Sequence, residues 1–230
     1  DTARHAAHKF ILDSLGVGVG GSVGPHADDI VEMHRAYGGA TQSRVLGRTT
    51  MLPAPAAALC NAYQIHNAEY DCVHEDAVVH PMAVLLGALL AASDRACAEG
   101  RRISGREFTD AVVVGVDVAA GLGVASNAPL RFFRPATAGA FGAVAAVGRL
   151  LGFGEMQLRS AMGIVLAQVG GTMQAHVEGS AVLAMQVGFN ARNAVAACDL
   201  ASAGVIGPSN SLEGPFGYLT LIEGDFDVEP

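Results

Sequence analysis

Between His66 and Pro81 the chain reads His66-Asn-Ala-Glu69-Tyr-Asp71-Cys-Val-His74-Glu75-Asp76-Ala-Val-Val-His80-Pro81, with three histidines and four acids in one short stretch. Three readings of it stand side by side. Imidazoles beside carboxylates make a general acid–base set, because histidine changes charge near neutral pH and a flanking carboxylate fixes its tautomer or raises its pKa. Histidines and carboxylates are also metal ligands, although neither a zinc spacing nor His-Glu-x-x-His occurs here. A solvated charged loop between two apolar helices is the plainest account; it explains the acids better than the histidines. His80 is the sharpest candidate, since it stands just before Pro81 at a helix start, where free backbone N–H groups suit an anion.

A second element is Leu130-Arg131-Phe132-Phe133-Arg134-Pro135-Ala136-Thr137. A planar guanidinium over a helix start grips a carboxylate with two parallel bonds. Equally, the loop can sit on the surface with its Phe side chains tucked into the core. His176 and Glu178 form a third, weaker pair. No G-x-S-x-G elbow surrounds Ser22, Ser93, Ser160 or Ser180, so serine hydrolase chemistry has little support. The run GVGVGG (16–21) lacks both the G-x-G-x-x-G spacing and a Gly-Lys-Ser/Thr, and fits close helix packing better than a phosphate loop.

The surrounding chain narrows the choice of chemistry. Its 14 cations against 22 acids leave a net charge of −8, with no basic run, which argues against nucleic acid as a partner. Lys9 is the sole lysine, so Schiff-base chemistry has almost no candidate. Cys60, Cys72, Cys97 and Cys198 form no C-x-x-C pair, so disulfides, zinc ribbons and iron–sulfur ligation are not expected. The first residues, DTARHAAHKF, lack the apolar core of a signal peptide. The apolar run 82–92 is too short to span a bilayer, and Asp117 interrupts the next one. A cytoplasmic setting with no membrane partner is expected. The absence of an initiator methionine at Asp1 points to a trimmed or partial chain.

The elements that must position these residues are helices. With 51% apolar and only 16% charged residues and 29 glycines, the composition favours closely packed buried helices. Helices are expected over Ala3–Gly16, ended by the glycine run, and over Asp28–Tyr37. Others are expected from Ala54 to Tyr70 behind Pro53, and from Pro81 to Ala98 with proline in the first turn. Ser104-x-x-Glu107 spells a capping box for a helix to Ala125, although VVVGVDV alternates like a strand. Ala136–Leu151, Met156–Gln168 and Leu183–Ala203 follow, separated by glycines. Thr41–Leu46 can hold one short strand, and the end of the chain changes to turns and a possible strand. The fold class is all-α, one multi-helix domain over 1–230.

These residues, in this order, resemble the MmgE/PrpD (2-methylcitrate dehydratase) family. The matching stretches are FILDSLGVGVGGS from Phe10, APAAALCNAYQIHNAEYD, EDAVVHPMAVLLGALLAA, ISGREFTDAVVVGVDV, RPATAGAFGAVAAVGRLLGF and GFNARNAVAACDLASAGVIGPSNSLEGPFGY. The resemblance implies an all-α domain followed by a smaller α+β lid domain; this chain corresponds to the helical domain alone, with residues from about 212 to 230 beginning the connection. It implies chemistry on di- or tricarboxylates without metal or cofactor: dehydration of 2-methylcitrate, decarboxylation of cis-aconitate or epimerisation of iminodisuccinate. All of these make or protonate a carbanion beside a carboxylate.

The family's His-x-x-Asp/Glu-Phe-Asp-Asp motif falls on His66, Glu69, Tyr70, Asp71 and Cys72, and its His-Pro on His80-Pro81. Three positions depart from the pattern: Cys72 stands for an Asp, Arg134 for a His and Leu183 for a Lys. The expectation is a lyase of the hydro-lyase type on a small polycarboxylate. Asp71 and His80 would carry proton transfer, supported by His66 and Glu69, with Arg134, Thr137, His74 and Gln186 on the substrate side. No metal or cofactor is expected, and the resemblance implies a homodimer. An epimerase of an amino- or imino-dicarboxylate, or a non-catalytic family module, are the alternatives.

Overall fold

The computed structural model describes residues 2–228. Nine α-helices appear among them: α1 (Thr2–Gly21), α2 (Ala27–Tyr37), α3 (Ala54–His66), α4 (Pro81–Ala98), α5 (Gly105–Val124), α6 (Arg134–Leu151), α7 (Glu155–Leu166), α8 (Gln174–Val177) and α9 (Val182–Ser202). The strand content is one antiparallel pair, β1 (Ser43–Arg44) and β2 (Met51–Leu52), with Ser43 opposite Leu52. The chain is all-α, as its composition and periodicity indicate.

Helix α6 lies at the centre. Every residue from Arg134 to Gly148 is buried, and α4, α5, α7 and α9 pack around it. A helix that is apolar on all sides is stable in water only when neighbours cover it. Small residues make that covering close. Where α5 crosses α6, a Cβ on Gly115 would lie 2.7 Å from the Gly142 carbonyl oxygen, and one on Gly142 would lie 2.5 Å from that of Gly115. Backbone therefore meets backbone at this crossing, and any side chain at either position would force the helices apart. Bulk comes from a few large groups, notably Tyr63, Phe141, Tyr218, Leu85, Leu86 and Leu89, all at most 2% exposed. Helix α4 is apolar and long enough to cross a membrane by length and composition, but here α3, α5, α6 and α9 pack against it.

Local signals set most boundaries. Helix α4 starts at Pro81, and Ser104 accepts a hydrogen bond from the Glu107 amide while the Glu107 carboxylate accepts from the Ser104 amide, closing a full capping box on α5. The helical reading of VVVGVDV therefore prevails over the strand.

Four details differ from the sequence expectation. Helix α1 does not stop at Gly16 but runs to Gly21, because Gly18 and Gly21 sit against α3 and the packing outweighs the low helix propensity of glycine. Helix α3 ends at His66 rather than Tyr70, since Glu69 adopts a left-handed φ of 51° that no helix continues through. A short helix, α8, forms in the glycine-rich stretch before α9. The C-terminal stretch makes one π-helical turn, Leu219–Glu223, where a strand was possible. Its Ser211, Tyr218, Leu219 and Glu223 are buried, and Glu229 and Pro230 lie outside the described residues.

Candidate active site

The loop from Asn67 to His80 connects the end of α3 to the start of α4, and its shape brings the sequence candidates together. It is pinned at its start, where the Asn67 side-chain amide donates to the Gly21 carbonyl at 2.9 Å. It is pinned again by an antiparallel bridge between His74 and Val79. Between these anchors two non-glycine residues hold left-handed backbone, Glu69 (φ 51°) and the β-branched Val78 (φ 50°). Such conformations cost free energy and persist only where the surroundings impose them.

The product of that strain is a three-residue cluster. His66 Nδ1 lies 3.0 and 3.1 Å from the two carboxylate oxygens of Asp71. His80 Nδ1 lies 3.2 Å from the Asp71 carbonyl oxygen and 3.4 Å from its Oδ2. The two rings meet edge to face with centroids 4.9 Å apart, and Phe133 closes over His66 at 5.7 Å. His66 and Asp71 are buried, while the His80 side chain retains 20% exposure.

The electrostatics follow from this geometry. Burial pushes the Asp71 carboxyl upward, but hydrogen bonds and charge from His66 and His80 outweigh it and hold its pKa at about 2. An ionised carboxylate can only accept, so each imidazole facing it carries its proton on Nδ1. That leaves Nε2 of both rings turned away from Asp71. His66 Nε2 is buried and has no hydrogen-bond partner among the described residues. For His80, burial lowers the pKa, and the Asp71 hydrogen bond and charge more than reverse it, so the net shift is upward. One carboxylate thus orients two imidazoles in different surroundings, His66 fully buried and His80 part-exposed. The same three side chains offer ligand atoms within 4.8 Å of one another, close enough to share one metal ion; in the arrangement seen, both Nδ1 atoms are already engaged by Asp71. Burial, reinforced by the Asp71 charge, pushes the Cys72 thiol up to about 12, so it is a neutral thiol and not a nucleophile.

A cleft of about 430 Å³ opens beside the cluster, lined in part by His26, His66, Glu69, His176, Ser180 and Leu183. His66 and Glu69 are the sequence candidates on its wall. His176, the weaker candidate, lines it too, while its companion Glu178 accepts from the Gln174 amide. His26 and Ser180 carry no sequence signal that would have singled them out.

The other expected substrate-side residues lie elsewhere. Arg134 is only 4% exposed. Its guanidinium donates to Glu223 from Nε at 3.1 Å and from Nη2 at 2.9 Å, to Ser126 Oγ at 2.8 Å, and to the Ala77 carbonyl at 3.2 Å. Thr137 Oγ1 lies 3.1 Å from the Tyr218 hydroxyl, which donates to Glu223 at 2.6 Å. Gln186 accepts from the Thr172 amide at 2.6 Å. His74 faces the groove between α1 and α5, with its Nδ1 accepting from the Ala77 amide. Arg134, Thr137 and Tyr218 therefore belong to a separate buried network centred on Glu223. No local pattern points to that partner, which lies 89 positions further along.

Comparison with known proteins agrees with the resemblance. The family model described as the MmgE/PrpD N-terminal domain matches residues 1–230. The chain belongs to the MmgE/PrpD family. It is similar to a cis-aconitate decarboxylase-like protein of Aspergillus oryzae, 32% identical over 96% of this chain and 47% of the relative. A cis-aconitate decarboxylase of Aspergillus terreus is 31% identical over 92% of this chain and 44% of the relative. That of Mus musculus is 29% identical over 91% and 43%. The chain thus spans about half the length of the curated relatives it matches.

Proposed function

We propose that the protein is a lyase acting on a small di- or tricarboxylate, moving protons at a carbon beside a carboxylate with its own side chains. The observation that carries this reading is the shared Asp71: its carboxylate faces Nδ1 of His66 at 3.0 Å and of His80 at 3.4 Å, and its carbonyl oxygen faces His80 Nδ1 at 3.2 Å. Both rings so keep their proton on Nδ1 and leave Nε2 for proton transfer. In a dehydration His66 Nε2 accepts the proton from the carbon beside the carboxylate, and protonated His80 gives one to the departing hydroxyl. In a decarboxylation the carboxylate leaves as carbon dioxide, and protonated His80 supplies the one proton that the remaining carbanion takes up. Asp71 orients and does not itself exchange the proton, as in other carboxylate–imidazole pairs. The relatives' names make cis-aconitate the first substrate to try and favour decarboxylation, while 2-methylcitrate tests the hydro-lyase form.

The test is turnover of both compounds by the full-length protein in deuterated water, followed by proton NMR. Wild type is expected either to release carbon dioxide and place one deuterium on the product carbon, or to release water with a substrate C–H proton lost to solvent. His80→Ala and His66→Phe are each expected to lower turnover at least ~100-fold with cooperative unfolding retained. Unchanged turnover in both variants sinks the assignment. Deuterium exchange with neither carbon dioxide nor water lost points to an isomerase instead, and failure of calorimetry to detect either compound points to a non-catalytic module.

A further inference from the structure

The buried Arg134 does more than fill a charge hole. Its guanidinium joins three separate segments: Glu223 in the C-terminal π-helical turn, Ser126 and the Ala128 carbonyl in the α5–α6 connection, and the Ala77 carbonyl in the site loop. Ala77 is 0% exposed and packs against α5, where a Cβ on Gly123 would meet the Ala77 carbonyl oxygen and lie 2.8 Å from the Ala77 Cβ. Its amide donates to His74 Nδ1, and the residue after it is the strained Val78. From there the chain runs through the His74–Val79 bridge directly into His80. Phe133, the neighbour of Arg134, packs on His66. The two neighbours therefore reach the imidazole pair by separate routes, Arg134 through Ala77 and Phe133 through His66.

Left-handed backbone at a β-branched residue relaxes unless something over-determines it. The hydrogen bond from Arg134 to Ala77 is the charge-assisted contact that does so. Glu223 fixes Arg134 in turn, since its carboxylate also accepts from Tyr218 at 2.6 Å and Ser126 at 2.7 Å, leaving one orientation for the guanidinium.

We infer that Arg134 is a positioning residue: through Ala77 it holds the loop that presents His80 to Asp71, and Glu223 of the C-terminal turn sets that hold. Arg134 does not touch substrate in this arrangement. Its effect on turnover rests on the lyase reading above; its hold on His80 does not, and the experiment reads the hold.

The probe is the titration of the His80 imidazole, followed by NMR of the labelled full-length protein. The groups that set it are Asp71 and, at longer range, Glu69, with the His66 ring alongside. Arg134→Lys keeps the charge but loses the fork. Arg134→Met with Glu223→Gln removes both charges together, so that neither is left buried alone. In both, the His80 midpoint is expected to fall by about half a pH unit or more as its contacts with Asp71 loosen. Arg95→Lys serves as the control. Arg95 pairs with Asp199 at 2.5 and 2.7 Å, about 20 Å along α4 from His80, and its loss is expected to lower stability while leaving the His80 midpoint in place. If the single Arg134 variant does not fold, the double variant decides. An unchanged His80 midpoint in the folded Arg134 variants, or an equal shift in the Arg95 control, overturns the inference.

Discussion

Two buried clusters of charge are joined by the loop that carries Ala77 and His80, and they are built on opposite terms. Around Glu223 every guanidinium nitrogen of Arg134 has a partner, and Tyr218, Thr137 and Ser126 complete the set. Around Asp71 the set is left incomplete: His66 Nε2 has none, and the loop that closes the cluster holds two left-handed non-glycine residues. A fully satisfied network rigidifies, whereas a part-satisfied one keeps an unbalanced atom ready for a ligand. The first cluster also uses a cation that cannot shed its proton, and the second uses two imidazoles, rings that can be neutral. The difference teaches where to look for chemistry in a buried polar interior: at the group that is strained and unpaired, not at the one with most hydrogen bonds.

That contrast can be broken by substitution. Arg134→Ala strands Glu223 in the interior and is expected to lower stability by about 3–5 kcal/mol, measured by urea unfolding; a loss under about 1 kcal/mol would mean that the network is not closed as described. Gly123→Ala presses a methyl into Ala77, the loop residue that Arg134 holds, and should cost about 1–3 kcal/mol while reducing turnover through the displaced loop. Asp71→Asn should cost only about 1 kcal/mol, because the imidazoles can lose their protons and the amide oxygen still accepts.

The Asp71 variant also carries a pH signature. The Asp71 pKa is depressed, so its contribution is lost as pH falls from the ordinary carboxylate value toward about 2. The His80 pKa is raised, so its contribution is full below the ordinary imidazole value and is lost as pH rises through the higher folded value. The stability gap between wild type and Asp71→Asn is therefore expected to be widest between about pH 4 and 6.5 and to narrow on both sides. A gap that stays constant from pH 3 to 8 would count against the charged pairing. Smallest of all, Val78→Gly should leave stability within about 1 kcal/mol of wild type, relieved strain offsetting lost chain order, yet lower turnover. Equal turnover would show that the strain has no bearing on His80.

Much of this was legible in the chain because its causes are local. Pro81 marks a helix start wherever it stands, and Ser104 with Glu107 forms its cap within one turn. His66, Asp71 and His80 lie within one loop, so their chemistry could be read from proximity in sequence. The glycines after Leu15 misled, because whether glycine breaks a helix depends on what packs against it, and Ile65 and Leu46 lie far along the chain from Gly18. Arg134 was the hardest to read. Residue type marks it as a carboxylate partner, and it has one, but which carboxylate depends on a turn folding back from the far end of the sequence. No pattern near Arg134 distinguishes a substrate from Glu223.

The contact between Gly21 and α3 has a mechanical meaning. A side chain on Gly21 would run into the Gln64 carbonyl, two residues before His66, and Asn67 bonds back to Gly21 just after it. Two backbones in direct contact have no layer of side chains to act as a bearing, so α1 and α3 cannot slide past one another in the way that shear motions require. His66 is thereby bolted to the first helix of the fold. Any breathing that admits or releases a ligand must be borne by the segments opposite it, and the fixed imidazole becomes the anvil against which they close.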